Sequence, residues 1–219
     1  EYLGFPLVVK PLDVSHGRGV SLNLKSVEEV VQAYEIAAEY SSSVLVETFL
    51  PGKDYRVLVI NYEVVAVAER VPAHVIGDGK NTIRRLIEII NSDPRRGFGH
   101  EKVLTKIKAN HQSERLLRQA GYSLDTVLKE GEIFYLASTA NLSTGGTAVD
   151  RTAEIDYTTR EIARRAAMVI GLDIAGIDII TPDISRSLRD VGGGIVEVNA
   201  GPGFRMHIQP SQGQGRNVA

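Results

Sequence analysis

The chain has no cysteine and no tryptophan, only two methionines, and few aromatic residues (6% of 219 positions). Without thiols there are no disulfides, no thiolate metal centres and no cysteine nucleophile. Neither sign of charge dominates: 25 Lys and Arg against 27 Asp and Glu leave a net charge of −2. That balance lacks the basic excess of a nucleic-acid footprint. No apolar run approaches the ~20 residues that cross a bilayer, and no charged-then-apolar leader opens the chain. The protein is therefore expected in the cytoplasm, with no membrane and no nucleic-acid partner. The five histidines, His16, His74, His100, His111 and His207, show neither HxxxH nor HExxH spacing, which argues against zinc. A Walker loop, a GxGxxG turn opening a helix and a GxSxG elbow are all missing as well.

Apolar residues make up 43% of the chain, enough for the core of one or two domains. The chain opens at Glu1 and stops at Ala219 without an element to close on, so it reads as a piece of a longer polypeptide. Periodicity predicts a mixed α and β protein. Strands are expected at Phe5–Lys10, Val44–Phe49, Tyr55–Asn61, Glu63–Glu69, Ile133–Thr139, Ile174–Ile180 and Gly194–Val198. The second pair of these flanks a short Asn61-Tyr62 turn. A helix is predicted from Ser26, where Ser26 and Glu29 form a capping box, with Val27, Val30, Val31, Tyr34 and Ala38 as its apolar stripe. Further helices are predicted from Thr82 to Asn91 and from Asp156 to Ile170, the last ending on an αL glycine, Gly171. The stretch from about His74 to Leu136 differs in character and reads as an inserted lobe.

One segment concentrates chemistry. In G-G-G-I-V-E-V-N-A-G-P-G (192–203), a glycine turn leads into a strand bearing Glu197 and Asn199. Residues i and i+2 of a strand share a face, so both aim at one point, and Asp178 in A-G-I-D-I-I offers a third oxygen ligand. Hard cations such as Mg²⁺ take oxygen ligands and share them with phosphates. Gly201-Pro202-Gly203 lets backbone N–H groups approach a reacting centre.

Other segments are compatible with phosphate and nucleotide binding. Lys10 ends a strand and precedes the loop His16-Gly17-Arg18-Gly19, a point charge and a set of N–H groups suited to phosphates. The connector from Glu47 to Arg56 carries Phe49 and Leu50 for a base and Asp54 for a ribose. The glycine-rich loop from Asn141 to Arg151 suits anions. Taken singly, each has a bland alternative: a solvated strand-end lysine, a hairpin with a surface ion pair, a flexible connection.

Taken in order, these segments resemble the ATP-grasp superfamily. Within it they are similar to the cyanophycin synthetase family, through K-P-L-D-V-S-H-G-R-G-V (10–20), G-D-G-K-N-T-I (77–83), D-P-R-R-G-F-G-H-E (93–101), L-S-T-G-G-T-A-V-D-R-T (142–152) and E-V-N-A-G-P-G-F-R-M-H (197–207). The resemblance implies an α+β ATP-grasp fold, two lobes sandwiching ATP with an inserted lobe, and with the N-terminal part of the fold missing. It implies lobes at 1–73, about 74–136 and 137–219. It implies ATP and Mg²⁺ as cofactors, with Lys10, His16, Gly17, Arg18 and Gly19 on phosphates and Glu47, Phe49, Leu50 and Asp54 on the nucleoside. Asp178, Glu197 and Asn199 would hold the metal. Gly203, Arg151, Arg205, His207 and Arg216 would serve catalysis, Arg151 filling in for an arginine that relatives carry where this chain has Gly176. Asp93, Arg95 and Arg96 would guide the polymer or be structural.

The implied activity is ATP-dependent addition of L-aspartate to the carboxyl end of a poly-aspartate backbone. Implied partners are ATP, L-aspartate, a cyanophycin (multi-L-arginyl-poly-L-aspartate) primer, flanking N-terminal and Mur-ligase-like domains, and a second copy in a homo-oligomer. Two alternatives stand beside it: a glutathione-synthetase-like peptide ligase, and a non-catalytic fragment that binds nucleotide or polymer.

Overall fold

The computed structural model describes residues 3–14, 18–99 and 101–218. Two compact units divide after Leu50. In the first, β1 (Leu7–Pro11), β2 (Ser21–Leu24), α1 (Val27–Ala38) and β3 (Val44–Thr48) form a three-stranded antiparallel sheet of order β2-β1-β3 with one helix packed on it. Leu7, Val9, Leu24, Ala33 and Ala37 make its core, joined by Val30 and Val44.

The helix starts where the capping signal placed it, but with different bonding. Ser26 Oγ accepts the Glu29 N–H (3.3 Å), while the Glu29 carboxylate accepts the N–H of Lys25 (2.6 Å) rather than that of Ser26. Its buried face also differs from the expected stripe. Val27, Val31 and Tyr34 are more than half exposed, and Ala33 and Ala37 are buried in their place. Small residues let the helix approach the sheet closely, and that approach outweighs the size of the valines in deciding which face turns inward.

The second unit contains β4 (Lys53–Ile60), β5 (Glu63–Val71), β6 (His74–Ile76), α2 (Ile83–Asn91), β7 (Arg96–Gly97), β8 (Leu104–Thr105), α3 (His111–Gln119), β9 (Ile133–Tyr135), β10 (Thr147–Asp150), α4 (Tyr157–Ile170), β11 (Ile174–Thr181), α5 (Leu188–Val191), β12 (Gly194–Asn199) and α6 (Arg205–Ile208). Five strands form one antiparallel sheet, ordered β10-β5-β4-β11-β12. The β4–β5 hairpin turns through Asn61 and Tyr62, both at positive φ, as a tight two-residue hairpin requires.

Because β4 pairs along its length with β11, residues 53–71 belong with 174–199. The lobe boundary expected at residue 73 therefore falls after Leu50, since the hydrogen-bonded sheet holds the hairpin in the second unit. The strand expected over 133–139 stops at Tyr135.

α4 covers one face of this sheet. Asp156 caps its start by accepting the Thr159 N–H, and Gly171, at φ 81°, ends it. Tyr55, Val57, Val59, Val67, Ile177 and Ile179 pack with Ala163 and Ala167 beneath it. Each buried valine or isoleucine contributes ~1.5–3 kcal/mol. Strand alternation has a further effect: sending 55, 57, 177 and 179 into this core sends 54, 56, 176 and 178 to the opposite face. A separate cluster of Ala73, Val75, Ile83, Leu86, Ile87, Ile107, Leu117, Leu128, Leu136 and Ala137 gives residues 73–137 a core of their own.

Candidate active site

The face of the sheet away from α4 is polar. Asp178 on β11 stands opposite Glu197 on β12 and opposite Arg56 on β4. Asp178 and Arg56 are both buried. Arg56 donates from Nε to Asp178 Oδ1 and from Nη2 to Oδ2 (3.0 Å), while Arg70 on β5 donates from Nη2 to the same Oδ2 (2.9 Å). Arg70 also binds Asp54 from Nε (2.7 Å). Two guanidinium groups and two carboxylates therefore form one connected set, each charge compensated by a neighbour. Burial pushes the Asp54 carboxyl above the usual carboxylate range, against the opposing pull of Arg70.

Gly176 makes the Arg56 position available. A β-carbon there would lie 2.9 Å from Arg56 Cδ and 2.7 Å from Pro202 Cβ. Arg56 thus crosses the strand where no side chain stands.

Glu197 is exposed, and Asn199, two residues on, shares its face and donates weakly from Nδ2 to Gly176 O (3.4 Å). Among the described residues no three His, Cys, Asp or Glu side chains converge on a metal position. The set is two carboxylates from adjacent strands plus one amide, all hard oxygen donors. That donor set fits Mg²⁺, which binds few protein oxygens and fills its remaining positions with phosphate and water.

A cavity of about 410 Å³ opens beside the arginines. Arg56 and Arg70 meet there Asn141 and Ser143 of the glycine-rich loop, Gly203, and Arg205 at the start of α6. Arg205 is steadied by donating from Nη1 to Lys102 O (2.8 Å). Arg56 and Arg70 were not among the residues singled out from the sequence. The alternation that put Asp54 on the functional face of β4 puts Arg56 there too, and this is the signal by which it could have been found.

Other expected site residues sit elsewhere. His207 is buried, and neither ring nitrogen has a partner. Burial, with Arg56 nearby, pushes its pKa down to about 4, so the ring is neutral and lies outside the cavity lining. Arg151 pairs with Glu69 (2.9 Å) and Glu154 (3.0 Å). Glu69 is opposite Tyr55 in the ladder and so faces α4. Arg151 is therefore committed to the wrong face of the sheet, and Arg56, not Arg151, fills the space at Gly176. Arg216 clamps Asp150 (2.6 Å) instead of facing the cavity.

Arg96 is buried and structural, donating from Nη1 to Thr105 O (2.5 Å) and Gly145 O (3.1 Å). Arg95 and Asp93 pair with each other (2.8 Å). In the first unit, Lys10 and Glu47 form an ion pair (2.8 Å) across β1 and β3. Arg18 is exposed, Gly19 sits in the left-handed region, and Phe49 and Leu50 are half-buried. His16 and Gly17 lie outside the described residues.

Residues 1–92 match the family model for the D-ala D-ala ligase C-terminus, and residues 121–214 match that for the RimK-like ATP-grasp domain. The chain is 60% identical to cyanophycin synthetase of Trichormus variabilis over 100% of its own length and 24% of that protein. It is 42% identical to a glutathione biosynthesis bifunctional protein of Listeria innocua, over 97% of the chain and 28% of the relative. The crystal structure of a bifunctional glutathione synthetase from Pasteurella multocida is similar with a TM-score of 0.68 at 30% identity, over 97% of this chain and 30% of that one. The chain spans about a quarter of the length of the curated relatives it matches.

Proposed function

The chain belongs to the ATP-grasp superfamily, in its cyanophycin synthetase branch, and from that premise we propose that it carries an ATP-dependent carboxylate–amine ligase site. The substrate is the C-terminal carboxylate of a poly-aspartate backbone, and the incoming amine is that of L-aspartate. A carboxylate oxygen takes the γ-phosphoryl group of ATP as ADP leaves. The amine nitrogen then attacks the carbonyl carbon, phosphate departs, and a proton is lost from nitrogen.

The observation that carries this reading is the meeting of Arg56, Arg70, Ser143, Gly203 and Arg205 around one cavity, with Asp178 tied to both arginines. Asp178, Glu197 and Asn199 are the residues that would hold Mg²⁺, which supplies charge neutralisation for phosphoryl transfer. Arg56 and Arg70, which line the cavity, attract a carboxylate there through the N–H groups that Asp178 and Asp54 leave free. The Gly203 N–H is offered to the oxyanion that forms when the amine attacks. The site works in the cytoplasm, within a longer polypeptide that also holds flanking domains and assembles as a homo-oligomer.

The test is Mg²⁺-dependent ADP release by the full-length protein, given aspartate and a primer of aspartate–arginine units, with Glu197→Gln as control. Primer-dependent turnover that disappears in the variant supports the polymer ligase. Turnover with γ-glutamylcysteine and glycine instead assigns the site to a glutathione-type reaction, the second reading favoured by the Listeria and Pasteurella relatives.

A further inference from the structure

The loop from Phe98 to Lys108 carries cations that the site above does not use. The Nζ atoms of Lys106 and Lys108 lie 4.8 Å and 5.5 Å from the centroid of the Phe98 ring, and that ring is 58% exposed. Ile107 between them is buried, Lys106 is half-buried and Lys108 is exposed. Among the described residues, no carboxylate lies within ion-pair distance of Lys102, Lys106 or Lys108. Glu101, the acid within the loop, is otherwise engaged: its Oε1 accepts the Phe98 N–H (2.5 Å). Two ammonium groups over one ring repel each other, and the ring's negative face offsets that only in part. An anion placed between them relieves the repulsion.

The loop is also fastened to the walls of the cavity. Arg205, which lines the cavity, holds the carbonyl of Lys102 (2.8 Å). Arg96, just before the loop, holds Gly145 O of the glycine-rich segment and Thr105 O within the loop. Thr105 Oγ1 in turn donates to Gly99 O (3.2 Å). The lysines therefore keep a set position relative to the cavity.

We propose that Lys106 and Lys108, set over Phe98, together with Lys102 of the same segment, form a docking strip for a peptide chain bearing free carboxylates. Resting on the ligase reading, this chain is the part of the polymeric substrate that lies outside the cavity while its carboxyl end is extended. Ammonium groups pair with carboxylates as point charges, tolerant of geometry, which suits a chain that must advance after each addition. A substrate short enough to fit within the cavity does not reach the strip. Discrimination between long and short primers then arises here, not at the reacting atoms.

The experiment uses the full-length protein with the double variant Lys106→Glu/Lys108→Glu and the conservative Lys106→Arg/Lys108→Arg. The expected result is a KM for a long primer raised roughly tenfold or more in the glutamate pair. The kcat, the KM for aspartate and the KM for the shortest active primer stay within about twofold, and the arginine pair behaves as wild type. An unchanged long-primer KM overturns the proposal, as does an equal rise for long and short primers. Fluorescence anisotropy of a labelled long primer, without ATP, gives an independent readout. Binding by the wild type that weakens with salt and is lost in the glutamate pair supports the strip. Equal binding by both overturns it. If the wild type turns over no primer at all, the ligase reading fails, and the anisotropy decides the strip by itself.

Discussion

Arg56 reaches Asp178 by passing over Gly176, whose missing β-carbon would otherwise lie 2.9 Å from Arg56 Cδ and 3.1 Å from Nη1. A Gly176→Ala substitution pushes the guanidinium off its carboxylate and presses on Pro202. Overpacking of this kind costs ~1–3 kcal/mol. Expected are a lowered melting temperature and a kcat/KM reduced by roughly tenfold or more. Full activity in a folded Gly176→Ala protein would show that the path of Arg56 is irrelevant to the site.

Asp178 and Glu197 stand side by side on neighbouring strands and are predicted to fail in different ways. Asp178 is buried against two arginines, so Asp178→Asn leaves positive charge uncompensated and destabilises by ~3–5 kcal/mol. Glu197 is exposed, so Glu197→Gln changes stability by no more than ~0.5 kcal/mol while abolishing Mg²⁺-dependent turnover. Urea denaturation of both variants, alongside ADP release, tests the contrast. Equal loss of stability in the two would refute it.

His207 predicts an acid limb in stability. Its pKa is pushed from 6.5 to about 4 by burial and Arg56, so below pH 6.5 the unfolded chain binds a proton that the folded chain refuses. Stability is then lost as pH falls from 6.5 toward 4, by roughly 3 kcal/mol at the end of that window. Above pH 6.5 the term vanishes. Thermal melts from pH 7 to 4 should show a shallower fall in His207→Gln than in the wild type. Parallel curves would mean that the ring titrates normally.

Arg96 joins Thr105 O to Gly145 O from a buried position. In Arg96→Met the volume is kept, but both carbonyls lose a donor, at a cost of ~1–3 kcal/mol each. Hydrogen exchange should quicken first across residues 141–147, ahead of the α4 core. Protection unchanged in that loop would remove Arg96 as its anchor.

Much of this was legible from local pattern. Asp156 and Gly171 bracket α4, Asn61-Tyr62 marks the hairpin, and the alternation of Glu197 and Asn199 put both on one face with Asp178. What escaped depends on pairing between distant residues. Arg56 matters because β4 lies beside β11, more than a hundred residues away in the chain, and no local period encodes that neighbour. Arg151 sits in a polar loop that suits anions, yet Glu69 on the α4 side of β5 claims it. On α1 the valines looked like the buried stripe, but packing selected Ala33 and Ala37, because close approach depends on the partner surface as much as on the helix.

The pairing of Ser211 and Gln212 with β10 has a consequence for the protein in solution. Ser211 accepts the Ala148 N–H and donates its own to Ala148 O, and Gln212 O accepts the Asp150 N–H. Arg216 pins the same segment to Asp150. Without this strap the outer rim of β10 would present bare backbone donors and acceptors, a template onto which another molecule's strand adds. The segment thus closes the β10 edge of the five-stranded sheet to strand addition.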